Sequence, residues 1–326
     1  MTGSTGRVID RPADPWEQMV YQKPEGAAGM AVITVIGLGS MGLGMALSLR
    51  RAGHRVIGCD LRDGAADPLV AIGGEAGGAV EAAAESDIVV SVVLNAAQTE
   101  AVLFGAQGCA TAMRQGAAII SCATVDPQVA RDMAAKAEAL GLHYLDAPIS
   151  GGAAKAREGR LSIMASGSQA AFDAGRPALD AMAETVHDLG REAGAGSAMK
   201  AVNQLLAGVH IAAMGEALAL AASQGLDLGR AVEVIRVSAG SSWMFENRAP
   251  HVVEADYAAR SAVTIWPKDL GIVSGIADGA GLPVPLTRAA LGQFERAVAA
   301  GWGAEDDAAV TKVYARDAGL SLPGEG

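Results

Sequence analysis

The chain has 326 residues, 51% of them hydrophobic, enough to bury a large core and to divide into two domains. Lys and Arg number 25 against 36 Asp and Glu, and the net charge of -11 repels phosphate polymers and anionic lipid, so neither nucleic acid nor a membrane is expected as a partner. The three cysteines, Cys59, Cys109 and Cys122, are odd in number and lack CxxC spacing, which argues against a disulfide framework or a zinc site and for a reducing, cytoplasmic compartment.

Residues 1–29 mix charges with proline and glycine and hold no apolar run, so they read as a disordered leader rather than a signal peptide, with the folded chain starting at Met30. From there, short β-branched runs at 32–36, 56–60, 88–93, 118–121, 144–146, 162–165 and 185–188 alternate with helical spacing at 41–52, 99–103 and 128–140. That alternation predicts βαβ units in a mainly parallel sheet covered on both faces. After Gly190 the pattern changes. Gly194 and Gly196 read as a hinge, and a helix is expected over 197–224, followed by helices at 228–238, 268–279, 286–300 and 306–315. The apolar run 205–222 carries His210 and Glu216, which fits a buried core helix better than a membrane span. The expected fold is therefore α/β: a Rossmann-type doubly wound sheet over 30–195, then an all-α substrate and oligomerisation domain over 196–326, joined by a long helix.

Gly37-Leu38-Gly39-Ser40-Met41-Gly42 is a GxGxxG element between the first strand and a helix. The first glycine permits a tight turn, the second lets the backbone approach a pyrophosphate, and the third allows close packing of helix on strand. Asp60, with Leu61 beside it, closes the next strand, where a carboxylate can accept from the adenosine ribose hydroxyls and repels a 2′-phosphate. NAD is thus the expected cofactor, with Arg62 two residues on as a counter-signal. A ligand-free glycine turn is the alternative.

Asp146 to Gly152 (DAPISGG) opens a second glycine-rich turn, in which the amides and the Ser150 hydroxyl suit a small carboxylate, although a plain structural turn fits equally. Lys200 shares a helix face with Asn203 and Gln204 in an otherwise apolar segment. A desolvated lysine suits proton transfer to or from a hydroxyl; a snorkelling lysine is the competing reading. Lys268 stands at a helix start, against the dipole, which hints at a ligand or at a pair with Asp269. The five histidines are dispersed and no GxSxG occurs, so neither a metal site nor a serine hydrolase is expected.

Together these segments resemble the beta-hydroxyacid dehydrogenase (3-hydroxyisobutyrate dehydrogenase-like) family over nearly the whole chain after Met30. VIGLGSMGLGM at 35–45 is similar to its cofactor loop, DAPISGG to its substrate loop, GSAMKAVNQ at 196–204 to its catalytic helix, and Lys268-Asp269-Leu270 to its late cofactor-side motif. Further stretches, VLNAAQTEAVLFG, QLLAGVHIAA, SWMFENR and EDDAAVTK, resemble its L-threonate dehydrogenase branch. The resemblance implies oxidation of a small hydroxy acid, L-threonate to its 2-oxo acid, with hydride passing to NAD. It implies Lys200 as general acid/base, Ser150, Gly151 and Gly152 holding the carboxylate, Asn203 or Gln204 orienting the substrate, and Asn95, Thr124 and Lys268 lining the nicotinamide side. Family members commonly carry asparagine four residues after the lysine, whereas here that position is Gln204 and Asn203 precedes it. A homodimer or homotetramer is the implied assembly. The alternatives are a 3-hydroxyisobutyrate, tartronate semialdehyde, glyoxylate or 6-phosphogluconate-type sibling, a non-catalytic NAD-binding protein, and an imine-reducing relative, which would commonly lack the lysine.

Overall fold

The computed structural model describes residues 29–324, so the expected leader, apart from Gly29, lies outside the described residues. Strands β1 (Val32–Ile36), β2 (Arg55–Cys59), β3 (Glu75–Ala76), β4 (Ile88–Ser91), β5 (Ala118–Ser121) and β6 (His143–Asp146) form one sheet in the order β3-β2-β1-β4-β5-β6. All five pairings are parallel. Successive side chains divide between two cores, as a sheet covered on both faces requires: Ile33, Val35, Val90 and Ile120 join one cluster, and Ile36, Val89, Ile119 and Tyr144 the other. The covering helices include α1 (Gly42–Arg51), α2 (Asp67–Val70), α3 (Ala79–Glu85), α4 (Ala96–Phe104) and α5 (Pro127–Ala139). The strand order reverses between β1 and β4, so the loops leaving those two strands splay apart there and open a crevice.

The segment after β6 departs from the single sheet expected. Residues Ile149–Ser150 (β7) pair antiparallel with Leu161–Ala165 (β8), which pairs parallel with Ala183–Asp188 (β9), so a separate three-stranded sheet forms. Helix α6 (Gly152–Glu158) connects β7 to β8, and α7 (Gln169–Met182) connects β8 to β9. An isolated bridge between Asp146 and Ser166 joins the two sheets. The chain leaves β6 at Ala147-Pro148, and the Pro148 carbonyl accepts from Met164 N, which turns β7 onto β8 instead of back onto β6.

Helix α8 (Ala195–Ser223) is about 43 Å long at ~1.5 Å rise per residue. Its start lies against β6, β8 and α5, and the rest is packed by α10 (Trp243–Val253), α11 (Ile265–Gly279), α12 (Pro285–Ala297) and α13 (Thr311–Ala318), with α9 (Leu228–Arg236) at its far end. By length and composition α8 could cross a membrane, but half of its most apolar window is buried against these helices. Trp266 and Phe294 stack 5.5 Å apart at the centre of this helical core.

Candidate active site

The GxGxxG turn is shaped by sterics. Gly37 has φ +92, and a Cβ there would lie 2.8 Å from the Val92 carbonyl oxygen. On Gly42 a Cβ would stand 1.8 Å from the Gly37 oxygen, whereas on Gly39 it would meet nothing within 4 Å. The outer glycines close the turn on itself and onto β4, while the middle one leaves open space at the mouth of α1. No side chain caps that helix, so its first amides and positive dipole end face the crevice. Ser40 is exposed beside it, and Leu38 is buried with its amide donating to Asp60 Oδ2 at 2.7 Å. These features fit a dinucleotide.

Asp60 stands just past the end of β2, with Leu61 wholly exposed next to it. Arg62 folds back over the carboxylate: its backbone N and its Nε donate to Oδ1 at 2.9 and 3.0 Å, and Nη2 to Oδ2 at 3.1 Å. The Arg62 guanidinium, helped by the Leu38 and Arg62 amides, holds the Asp60 carboxyl down at about 2. Asp60 is therefore anionic throughout the neutral range.

Across the crevice, Asn95 caps α4 by accepting from Gln98 N at 2.9 Å, and Gln98 returns a bond to Leu94 N. Thr124 lies half-buried just beyond β5. Lys268, in the first turn of α11, reaches over to donate to the Leu94 carbonyl at 3.0 Å and pairs with Asp269 at 2.6 Å. Both contacts offset the unfavourable dipole position. The Lys268–Asp269 pair expected as the structural alternative is present, and so is a bridge to the cofactor-side loop.

Lys200 joins two motifs fifty residues apart in the chain. Only 7% exposed, it donates from Nζ to the Ile149 carbonyl at 2.8 Å, directly before Ser150. Burial pushes its ammonium down to about 8; nearby Asp269 opposes the shift and Lys268 reinforces it. The adjoining turn has Gly151 at φ +130 and Gly152 at +80, a conformation that side chains resist, so its backbone stays bare. The Ser150 hydroxyl has no protein partner among the described residues. One turn beyond Lys200, Asn203 Nδ2 donates to Gln204 Oε1 at 2.9 Å, and Gln204 Nε2 donates to Asp269 Oδ2. The glycine turn with the lysine, and one helical turn on the two amides with the Lys268–Asp269 pair, thus make up the site beside the crevice. Thr124 is not tied into it by any hydrogen bond.

Two acids in this region were not read as site residues from the sequence, although Asp269 was expected as a partner for Lys268. Asp146, 1% exposed, accepts from Gly194 N at 2.9 Å, Ser197 N at 2.8 Å, Ser197 Oγ at 2.7 Å and Ser166 Oγ at 3.3 Å. It pins the start of α8, and hence Lys200, to the end of the large sheet. Asp269 joins Lys268 to Gln204. The available signals were an acid closing a strand and an acid directly after a lysine, neither of which reveals a partner distant in the chain.

Residues 32–190 match the family described as the NAD binding domain of 6-phosphogluconate dehydrogenase, and residues 194–314 the family described as NAD-binding of NADP-dependent 3-hydroxyisobutyrate dehydrogenase. An L-threonate dehydrogenase of Cupriavidus necator is 47% identical over 90% of this chain and 98% of its own length. One of Haemophilus influenzae is also 47% identical, over 90% and 97%. The crystal structure of a 3-hydroxyisobutyrate dehydrogenase from Salmonella typhimurium is 48% identical, superposes with a TM-score of 0.83, and is matched over 86% of this chain and 99% of that one.

Proposed function

The chain belongs to the beta-hydroxyacid dehydrogenase family and is a nicotinamide-dependent hydroxyacid dehydrogenase; on that premise, we propose that it oxidises L-threonate to the 2-oxo acid with NAD. The observation that carries the reading is Lys200, buried and bonded to the carbonyl that precedes the Ser150-Gly151-Gly152 turn. The substrate follows from the threonate dehydrogenases at 47% identity, and NAD from an Asp60 that is charged wherever the enzyme works.

In this reading the turn amides and the Ser150 hydroxyl anchor the substrate carboxylate, and Asn203 or Gln204 orients the carbon chain. With its affinity lowered toward about 8, Lys200 is part neutral in mildly alkaline solution and removes the hydroxyl proton as the carbonyl forms. In the reverse direction its ammonium returns that proton. A bound nicotinamide would supply the hydride acceptor for that carbon. Its binding would fall to the Leu38–Gly42 turn through the amides that follow Leu38, to Asp60 and Leu61 on the adenosine side, and to Asn95, Thr124 and Lys268 on the nicotinamide side.

Residues 30–195 serve as the cofactor domain and 196–326 as the helical domain, which pairs subunits into a dimer or tetramer. Exposed Met199, Val202 and Leu206 on α8 support that assembly. Three buried free thiols fit a cytoplasmic setting. The test is the rate of NADH formation with both threonate enantiomers, 3-hydroxyisobutyrate, glycerate and lactate, each with NAD and NADP. Highest kcat/KM with L-threonate and NAD is expected. A clear preference for 3-hydroxyisobutyrate would overturn the substrate, and equal use of NADP the cofactor.

A further inference from the structure

A side-chain amide has an oxygen end and a nitrogen end that are alike in shape and opposite in chemistry, so its sense is fixed only by its partners. Asp269 supplies the fixed point here. It is 2% exposed and paired with Lys268 at 2.6 Å, and a carboxylate so paired only accepts. The end of Gln204 that touches it is therefore Nε2, which turns Oε1 toward Asn203. That oxygen in turn accepts from Asn203 Nδ2 at 2.9 Å. Both ends of Gln204 are engaged, and the residue is only 7% exposed. Asn203 is half-buried, with its nitrogen held against Gln204 and its Oδ1 left without a protein donor among the described residues. Asp269 thus sets the sense of Gln204, and Gln204 sets the sense of Asn203, one helical turn from Lys200.

We propose that Asn203 Oδ1 is the group that reads a second hydroxyl of the substrate, and that Gln204 and Asp269 are positioning residues that keep this oxygen turned outward. The inference rests on the hydroxy-acid reading above and resolves which of the two amides meets the substrate. An outward carbonyl oxygen rewards an O–H donor and gains nothing from a methyl group, so the site favours polyhydroxy acids over acids whose only hydroxyl is the reacting one.

The test uses the purified full chain with NAD and compares L-threonate with 2,3-dihydroxybutanoate, 2,4-dihydroxybutanoate and 2-hydroxybutanoate. For the wild type, kcat/KM should fall about tenfold when the read hydroxyl is removed, the size of one uncompensated hydrogen bond. Asn203→Ala, on a half-exposed helix position where alanine is well tolerated, should erase most of that preference. Gln204→Leu should also weaken the preference, because the Asn203 amide is then free to turn over; a merely structural Gln204 would lower the rates on all four acids alike. The proposal is overturned if Asn203→Ala lowers every acid by the same factor, or if the preference survives in Asn203→Ala and disappears only in Gln204→Leu. A wild type that oxidises hydroxy acids without preferring the polyhydroxy ones sinks the hydroxyl reader and L-threonate as the preferred substrate, but leaves the dehydrogenase reading standing. One that oxidises none of them sinks the dehydrogenase reading as well.

Discussion

The two sides of the crevice are built by different means. The cofactor mouth is made of backbone: a six-residue turn whose glycines either cannot carry a Cβ or leave room for a ligand, facing a helix end that no side chain caps. The substrate side is made of side chains drawn from separate segments, with Lys200, Gln204, Asp269 and Asp146 all at most 7% exposed. The first should fail sterically, where atoms collide. The second should fail electrostatically, where a buried group loses its partner.

The largest expected effect tests whether the two sides are separable. Lys200→Ala should lower kcat by about 10² to 10⁴, the usual range for a lost acid/base group, while NAD affinity measured by calorimetry changes less than about threefold. Joint loss of turnover and NAD binding would show that the lysine serves the whole crevice. The wild-type pH profile sharpens the point. Below about 8 the side chain is an ammonium and cannot accept a proton, so oxidation should rise through that pH and reduction should fall through it. A flat profile between 7 and 9 would remove Lys200 from the proton transfer, provided hydride transfer limits the rate.

Next in size is Asp146→Ala, which leaves at least two buried donors at the start of α8 without an acceptor and should cost about 2–6 kcal/mol in urea unfolding, at ~1–3 per group. A loss below 0.5 kcal/mol would mean that water replaces the carboxylate and that the α8 anchor is elsewhere. Gly42→Ala probes the other side. A Cβ 1.8 Å from the Gly37 oxygen must push the turn open, at about 1–3 kcal/mol of strain, and NAD affinity should fall about tenfold or more. Unchanged affinity would show that the turn does not hold the pyrophosphate.

The same division explains what could be read from the sequence. β1, the glycine turn and Asp60 lie within one βαβ unit, so spacing alone was enough to propose the dinucleotide mouth. α8 was legible because 29 residues sustain a helical pattern. β3 and β7 were not, because each has two residues and no period to detect. α7 and α10 were not expected, and each continues through a proline inside it, Pro177 and Pro250. The small second sheet was missed for a related reason: β8 and β9 look like further buried parallel strands, and only the pairing of β7 with β8 reveals that the chain has turned away. Lys200 was visible as a lysine in an apolar helix, but its bond to Ile149 was not. Neither was the Asp269–Gln204–Asn203 sequence of bonds, because hydrogen-bond partners 51 and 65 residues apart leave no mark in local spacing.

The smallest expected effect lies at the adenosine end of the mouth, where side chains intrude on the backbone-built side. Asp60 accepts from the Leu38 and Arg62 amides and from the Arg62 guanidinium, so both of its oxygens are engaged before any ribose arrives. The arginine side chain is 65% exposed and the carboxylate 12%, so the guanidinium can leave at little cost while the two amides keep the carboxylate in place. Ribose hydroxyls would then take the positions that Arg62 vacates, and a 2′-phosphate would still face a fixed negative charge. Asp60→Ala removes that charge and frees Arg62 to pair with phosphate, so the NAD to NADP ratio of kcat/KM should fall about tenfold or more. Arg62→Ala should move the ratio the other way, by about threefold, because it strips the guanidinium from beside the carboxylate without disturbing its bond to the Leu38 amide. If the two substitutions shift the ratio in the same direction, Asp60 and Arg62 act as one structural clamp, and cofactor choice has to be sought elsewhere along the mouth.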